Sequence, residues 1–208
     1  EHSALYKLSI TIDANRLGQD IWWADNYDPE KQEITFKYKE GNQEKELKKK
    51  VSMSGQPIIS SSSNYEVKVD KGKITFQEFS NSSKYEVKFT LDPSEKQRRI
   101  RNILEAIKNG LYAQSSGEAN TIVPLFLIAG AVKVPCPVFH PYIDIRKENG
   151  QWKVIGVSDA LDNSWLEKDG NQLIVYIKDS ERLRVDDSLK NRVLTNWNEF
   201  LQKVGLKD

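Results

Sequence analysis

Four cations stand close together in Lys96–Arg101, KQRRIR. On a helix, Ile100 turns toward a core while Lys96, Arg98, Arg99 and Arg101 spread over the remaining surface. Two readings fit such a face. One is a solvated helix surface. The other is a row of cations for phosphate oxygens, with Arg98 and Arg101 as candidate contacts. Beyond the cations lies a small polar cluster, QSSGEAN (Gln114–Asn120). A glycine-bearing polar loop at the end of a basic helix can present backbone N–H groups to an anion. Turns of the same composition also simply connect elements. A second basic run, KELKKK (Lys45–Lys50), is equally dense.

Other chemistries find little support. The chain has two histidines and one cysteine, too few for a usual zinc site. Cys136 and His140 are four apart, but Pro135, Pro137 and Pro141 forbid a helix between them, so they read as packing plus a local hydrogen bond. His140, Ser158 and Asp159 can be drawn as a triad, yet no nucleophile elbow surrounds the serine. Asp186-Asp187 reads as a helix start, where negative charge satisfies exposed N–H groups. No GxxxxGK[ST] or GxGxxG occurs, so nucleotide hydrolysis and dinucleotide binding have no motif. No enzyme, metal or cofactor is expected.

The 208 residues balance 31 basic against 30 acidic side chains, a formal net charge of +1. No global field draws in a polyanion, and nucleic-acid binding must rest on local patches. The composition, 38% hydrophobic and 29% charged, is that of a soluble globular chain. The longest apolar stretch, Ile122–Val132, is too short to span a bilayer and contains Pro124. A single cysteine suits a reducing compartment, and EHSALYKLSI lacks the apolar core of a secretory leader. A cytoplasmic location with no membrane contact is therefore expected. Residues Glu1–Ala4 are given no structural weight.

Strand patterning dominates the N-terminal half. Leu5–Asp13 alternates polar and apolar residues and predicts a half-buried strand. Ile34, Phe36 and Tyr38 predict a hairpin turning at Gly41-Asn42. Tyr65, Val67 and Val69 predict a second, turning at Lys71-Gly72, and Lys84–Asp92 a further strand. Asp92-Pro93-Ser94-Glu95 then starts a helix. Its stripe is Ile100, Ile103, Leu104, Ile107 and Leu111, and its stop is Gly110 or Gly117. TIVPLFLIAGAV reads as a buried strand or two pieces split near Pro124. A hairpin turning at Asn149-Gly150, a strand NQLIVYIKD and a final helix from Leu189 to Val204 come next, with Gly205 at C′. About eight to ten strands and two good helices predict an α+β fold, a single domain over 1–208 with extra β-hairpins.

Taken in order, these segments resemble a family. Asp92–Ile143 is similar to the helix, glycine-bearing loop and strand of the backbone subunit of Cascade-type CRISPR effector complexes, in the DevR-type branch of the RAMP superfamily. LYKLSITIDANRLG resembles that family's first strand and the polar Asn after it. VSMSGQ (Val51–Gln56) resembles its V-x-x-[ST]-G segment. The resemblance implies an RNA-recognition-like (ferredoxin-like) palm with two main helices. It implies non-catalytic binding of guide RNA by repeated subunits in antiviral defence, the bases remaining free to pair with a target nucleic acid.

Carried over by position, it implies RNA contacts at Asn15 and Arg16, at Ser52, Ser54 and Gly55, and at Ser115, Ser116, Gly117 and Asn120. Implied partners are CRISPR guide RNA, other copies of the chain, other effector subunits and, through base pairing, the target. Where the family carries a long thumb insertion, residues 57–83 leave room for one short hairpin. Where the family loop often places an Arg after its Asn, Thr121 and Ile122 stand here, and Glu118 adds an opposing charge. Met53 reads as core filling or as a wedge against bases; Trp22-Trp23 reads as packing under the following hairpin or as a base-stacking surface. The alternative function is a protein-interaction module of the same fold that docks on such a complex without holding RNA.

Overall fold

Alternating apolar residues build most of the first half of the chain. The computed structural model describes residues 5–51, 58–61, 64–79, 84–115 and 118–206. Their contacts gather into two units. One is Ala14–Lys96, and the other combines Glu1–Asp13 with Gln97–Asp208.

The Ala14–Lys96 unit holds β1 (Gln19–Ala24), β2 (Asn26–Asp28), β3 (Glu33–Glu40), β4 (Gln43–Lys50), β5 (Ile58–Ser61), β6 (Asn64–Val69), β7 (Gly72–Glu78) and β8 (Tyr85–Leu91). They form two antiparallel sheets, β2-β3-β4 and β1-β8-β7-β6-β5. The β3–β4 hairpin turns at Gly41-Asn42 as expected, with Gly41 at φ 64°. The β6–β7 turn falls one residue before its expected place, at Asp70-Lys71, with Lys71 at φ 61°. Gly72 belongs to the ladder, where a Cβ would lie 2.5 Å from the Thr90 carbonyl oxygen.

Register explains the core of this unit. Tyr65 pairs with Phe76, Phe76 with Val87 and Val87 with Trp22, so all four share a face. Phe76, Val67 and Val87 are buried, and Tyr27, Ile34 and partly buried Phe36 pack into the same cluster. Tyr27 stacks on Phe76 with ring centroids 3.8 Å apart. The neighbouring tryptophans are not covered as expected: Trp22 is 42% and Trp23 50% exposed. β1 is an edge strand, and Trp23, on the opposite face, packs edge-on against Phe79, with ring centroids 5.1 Å apart.

The second unit takes in most of α1 (Pro93–Asn109), then β9 (Leu111–Ser115), β10 (Glu118–Ile122), β11 (Leu127–Gly130), β12 (Asp144–Glu148), β13 (Gln151–Ile155), α2 (Val157–Leu161), β14 (Lys168–Asp169), β15 (Gln172–Leu173), β16 (Val175–Lys178), a 3₁₀ turn (Asp187–Arg192) and α3 (Trp197–Lys203). The strands pair antiparallel as β9–β10, β11–β16, β12–β13 and β14–β15. The β12–β13 hairpin turns at Asn149-Gly150 as expected, with φ 49° and 82°. Val157, Ala160, Leu161, Leu166, Val175 and Ile177 centre the core. The fold is α+β with several antiparallel sheets, and its described residues include four helical segments, of which α1 and α3 are the longer α-helices. No helix among them is long and apolar enough to cross a membrane.

Several elements differ from expectation, each for a backbone reason. Leu5–Asp13 joins no strand, and its residues through Thr11 are exposed, Tyr6 at 87%. Period-two patterning marks a strand only where a neighbouring ladder receives it. TIVPLFLIAGAV, by contrast, meets the second of its two readings, two pieces split near Pro124: β10 ends at Ile122 and β11 begins at Leu127. NQLIVYIKD breaks at Ile174, whose N–H bonds to Glu167 and whose carbonyl accepts from Ala131. The final helix is interrupted as well. Leu194 runs beside β16, donating to Val175 and accepting from Ile177, so Val193 is extended, at φ −129°. Asn196 restarts the helix by accepting from the N–H groups of Asn198 and Glu199. Gly205 closes α3 at C′ as expected: its N–H bonds to Gln202 and that of Leu206 to Leu201.

Candidate nucleic-acid interface

The basic half of α1 is real helix surface. Pro93 takes the first helical position, and the Asp92 carbonyl accepts from Lys96 N–H at 2.9 Å. Ile100 is the one residue of α1 that is buried. Arg98 and Arg99 are exposed, while Lys96 and Arg101 are half-buried. Arg98 and Arg101, three apart, are neighbours on the helix surface. Arg98, Arg99 and Arg101 each have interactions within the fold. Arg101 acts on Glu105, one turn on, whose carboxyl it helps to hold ionised. From Pro93 to Arg101 four cations face one acid, Glu95.

The rest of α1 is anchored by a contact that sequence reasoning missed. Glu105 accepts from the Trp197 indole N–H at 2.6 Å and pairs with Lys108 at 3.0 Å. Lys108 Nζ in turn lies 5.3 Å from the centre of the Trp197 ring. Partial burial pushes the Glu105 carboxyl up. Hydrogen bonds from Trp197 and Lys108, with the charges of Lys108 and Arg101, outweigh it, and the pKa ends below its ordinary value. The spacing of Glu105 and Lys108 is visible in sequence; the approach of Trp197 is not.

Gly110 ends α1 and redirects the chain. Its N–H bonds to the Ala106 carbonyl, its φ is 91°, and a Cβ there would meet the Ile122 carbonyl oxygen at 2.6 Å. Only glycine accepts that conformation at so close an approach. The chain then forms the β9–β10 hairpin, so the QSSGEAN cluster is the end of a hairpin rather than a loop following a helix. Ser115 stands opposite Glu118, and Asn120 opposite Ala113. At the base of the hairpin Leu111, Tyr112, Ile122 and Val123 are exposed, Leu111 at 54%, so the α1 stripe stops before Leu111.

Asn15 and Arg16 lie in an exposed turn of the Ala14–Lys96 unit, and each has an interaction within the protein. The Arg16 carbonyl accepts from Gln19 N–H, and Gly18 carbonyl from Leu91 N–H, which fastens the turn to the end of β8. Arg98, Arg101, Ser115 and Asn120 belong to the second unit, on α1 and the hairpin after it. Ser52, Ser54, Gly55, Ser116 and Gly117, with Met53, lie outside the described residues.

The second basic run behaves differently. β3 and β4 set six lysines among four glutamates. Lys37 stands opposite Glu46, Lys39 opposite Glu44 and Lys50 opposite Glu33, while Lys45 pairs with Glu40. β4 is an edge strand, and lysine along an edge discourages pairing with another chain. Asp186 also has a structural task, accepting from Ser188 N–H at 2.9 Å at the start of the 3₁₀ turn, as the sequence suggests. His140 is exposed in a series of tight turns, its N–H bonded to the Pro137 carbonyl at 3.2 Å. Among the described residues no group of three or more His, Cys, Asp or Glu is placed to hold a metal ion.

No curated protein and no solved structure matches the chain significantly. One family model does, over residues 1–150 of the 208, which takes in α1, the β9–β10 hairpin and every candidate contact named above. On that match the chain belongs to the CRISPR-associated negative auto-regulator DevR/Csa2 family.

Proposed function

We propose that this protein is a non-catalytic subunit that holds CRISPR guide RNA by its ribose-phosphate backbone and repeats along it within a cytoplasmic effector complex. The observation that carries the reading is the sequence of elements inside the family match: a cation-rich helix face, the Gly110 turn, and a hairpin ending in a polar cluster. Phosphate contacts of this kind give affinity without sequence preference. The proposed contacts are Asn15, Arg16, Arg98, Arg101, Ser115 and Asn120, together with Ser52, Ser54, Gly55, Ser116 and Gly117. A palm of RNA-recognition-like (ferredoxin-like) topology and a shortened thumb at residues 57–83 are part of the same proposal. Its partners are guide RNA, further copies of the chain, other effector subunits and a base-paired target. The family is one of regulators rather than enzymes, in keeping with a holding role.

A direct test is the ratio of absorbance at 260 and 280 nm of protein purified without nuclease, together with filter binding of single-stranded RNA at low salt. Copurified RNA and salt-sensitive binding support the proposal; their joint absence overturns it.

A second reading has its own observation. The net charge is only +1, and Leu111, Tyr112, Ile122 and Val123 expose an apolar surface at the hairpin base. Such a surface suits docking on another subunit without RNA. Size-exclusion chromatography separates the two: RNA-dependent elongation supports the first, one-to-one docking that ignores RNA the second.

A further inference from the structure

Beyond residue 150, outside the family match, three elements of the second unit border an open concavity of about 660 Å³. The end of α2 supplies Asp162 and Asn163. The two-residue turn between β14 and β15 presents Asn171 and leads into Gln172. The end of the 3₁₀ turn supplies Asn191 and Arg192. An Arg192–Asp162 ion pair ties the first wall to the third. Lys168 adds an exposed cation to the lining.

Two features give the concavity a chemical character. Its lining is rich in carboxamides, each of which offers a donor and an acceptor side by side. Asn163 is oriented: its Oδ1 accepts from Trp165 N–H at 2.8 Å, which leaves its amide N–H groups to donate elsewhere. Leu161 and Leu173, the apolar residues of the lining, are 2% and 6% exposed, so neither leucine offers an open anchor to a protein side chain. Trp165, which follows the lining residue Ser164 in the chain, is 49% exposed while its neighbour Leu166 is 1% exposed. Lys133 stands at the same place, its Nζ bonded to the Ser164 carbonyl at 3.0 Å and its N–H to that of Trp165.

We infer that this concavity takes one nucleotide of a single-stranded RNA, the base meeting the carboxamides and the Trp165 indole, the phosphate meeting Lys168 and Arg192. The volume lies within the range of small-ligand sites. Carboxamides match the polar edges of an unpaired base, an exposed indole matches its face, and cations match its phosphate. The inference rests on the reading of this chain as an RNA-holding subunit and adds a base contact to a surface otherwise proposed to touch only the backbone.

The test uses the full chain and fluorescein-labelled short polyuridine in anisotropy titrations, with an abasic strand of equal length as control. The variants are Trp165→Ala and the double Asn171→Ala/Gln172→Ala, whose exposed side chains leave the core intact should the tryptophan variant not fold. The expected result is polyuridine affinity lower by about fivefold or more in Trp165→Ala, a loss in the double variant also, and no change for the abasic strand. Polyuridine affinity equal to wild type in both variants overturns the inference and leaves the RNA-holding function standing. Equal affinity combined with lost association with a coexpressed effector subunit also overturns it, in favour of a protein site. If the wild type binds neither strand, the RNA reading itself falls, and the inference with it.

Discussion

Trp197 donates its indole N–H to Glu105 Oε1 at 2.6 Å across 92 positions of sequence. The bond joins the last helix to the middle of the basic helix, and Tyr176 backs the indole at 4.9 Å. It makes the pose of α1 a property of the second unit's core rather than of the helix alone.

Glu105→Ala leaves the buried Trp197 indole N–H and Lys108 without their carboxylate. The expected loss is about 1–3 kcal/mol of stability, read from urea unfolding monitored by tryptophan fluorescence. The pH dependence has a definite sign. Because the folded pKa of Glu105 lies below its unfolded value, the stabilisation is present above the unfolded pKa and is lost as pH falls through the folded one. Glu105→Gln should therefore show a shallower acid-side loss of Tm than wild type. Parallel acid limbs in the two proteins would contradict this account.

The Tyr27 hydroxyl is buried with no hydrogen-bond partner among the described residues, while its ring stacks on Phe76. Burial pushes its phenol pKa up, aided by Tyr65 and Asp28. Tyr27→Phe keeps the stack and removes the unpaired group. Stability should stay equal or rise by up to about 1–2 kcal/mol. A clear fall in the urea midpoint would mean that the hydroxyl has a partner.

Gly110→Ala forces a Cβ onto the Ile122 carbonyl and a side chain into a left-handed backbone. The expected cost is about 1–3 kcal/mol, measurable as a lower Tm. Because the hairpin leaves α1 through this residue, hydrogen exchange of the β9–β10 amides should speed up more than that of β12–β13.

Arg98→Gln removes one exposed cation from the proposed phosphate-binding face. RNA affinity should weaken for all sequences alike, and the slope of log affinity against log salt should shrink by about 0.7 for a single strand. Arg101→Gln should show the same slope change with an added loss of stability, since Arg101 also helps hold Glu105 ionised. An unchanged salt slope in Arg98→Gln assigns that residue to the plain solvated face.

Local chemistry was legible wherever neighbours along the chain decided it. Gly41-Asn42 and Asn149-Gly150 announce their turns, Pro93 and Gly110 bound the basic helix, and Asp186 marks a helical start. The residues of the candidate site stand out in the sequence in the same way: its cations and its polar cluster are short runs, and both fall inside the residues of the family match. Leu5–Asp13 and the Leu189–Val204 stripe misled because periodicity states a preference and not an occupant. No ladder receives the first, and the pull of Leu194 into the β16 ladder divides the second. Trp165 and the carboxamides beyond Asp162 gave no signal, since scattered asparagines acquire meaning only when distant turns converge.

From its residues alone, this chain declares an α+β chain, an arginine-bearing helix stopped by glycine, and membership of a family. These depend on torsional preference and side-chain period, which act over a few residues. Tertiary structure decided that Glu105 would meet Trp197, that Trp22 and Trp23 would stay half exposed, and that the polar cluster would end a hairpin. Those outcomes depend on which surfaces come together. Burial and hydrogen bonding between remote segments are set by competition among all possible partners, not by any one stretch of sequence.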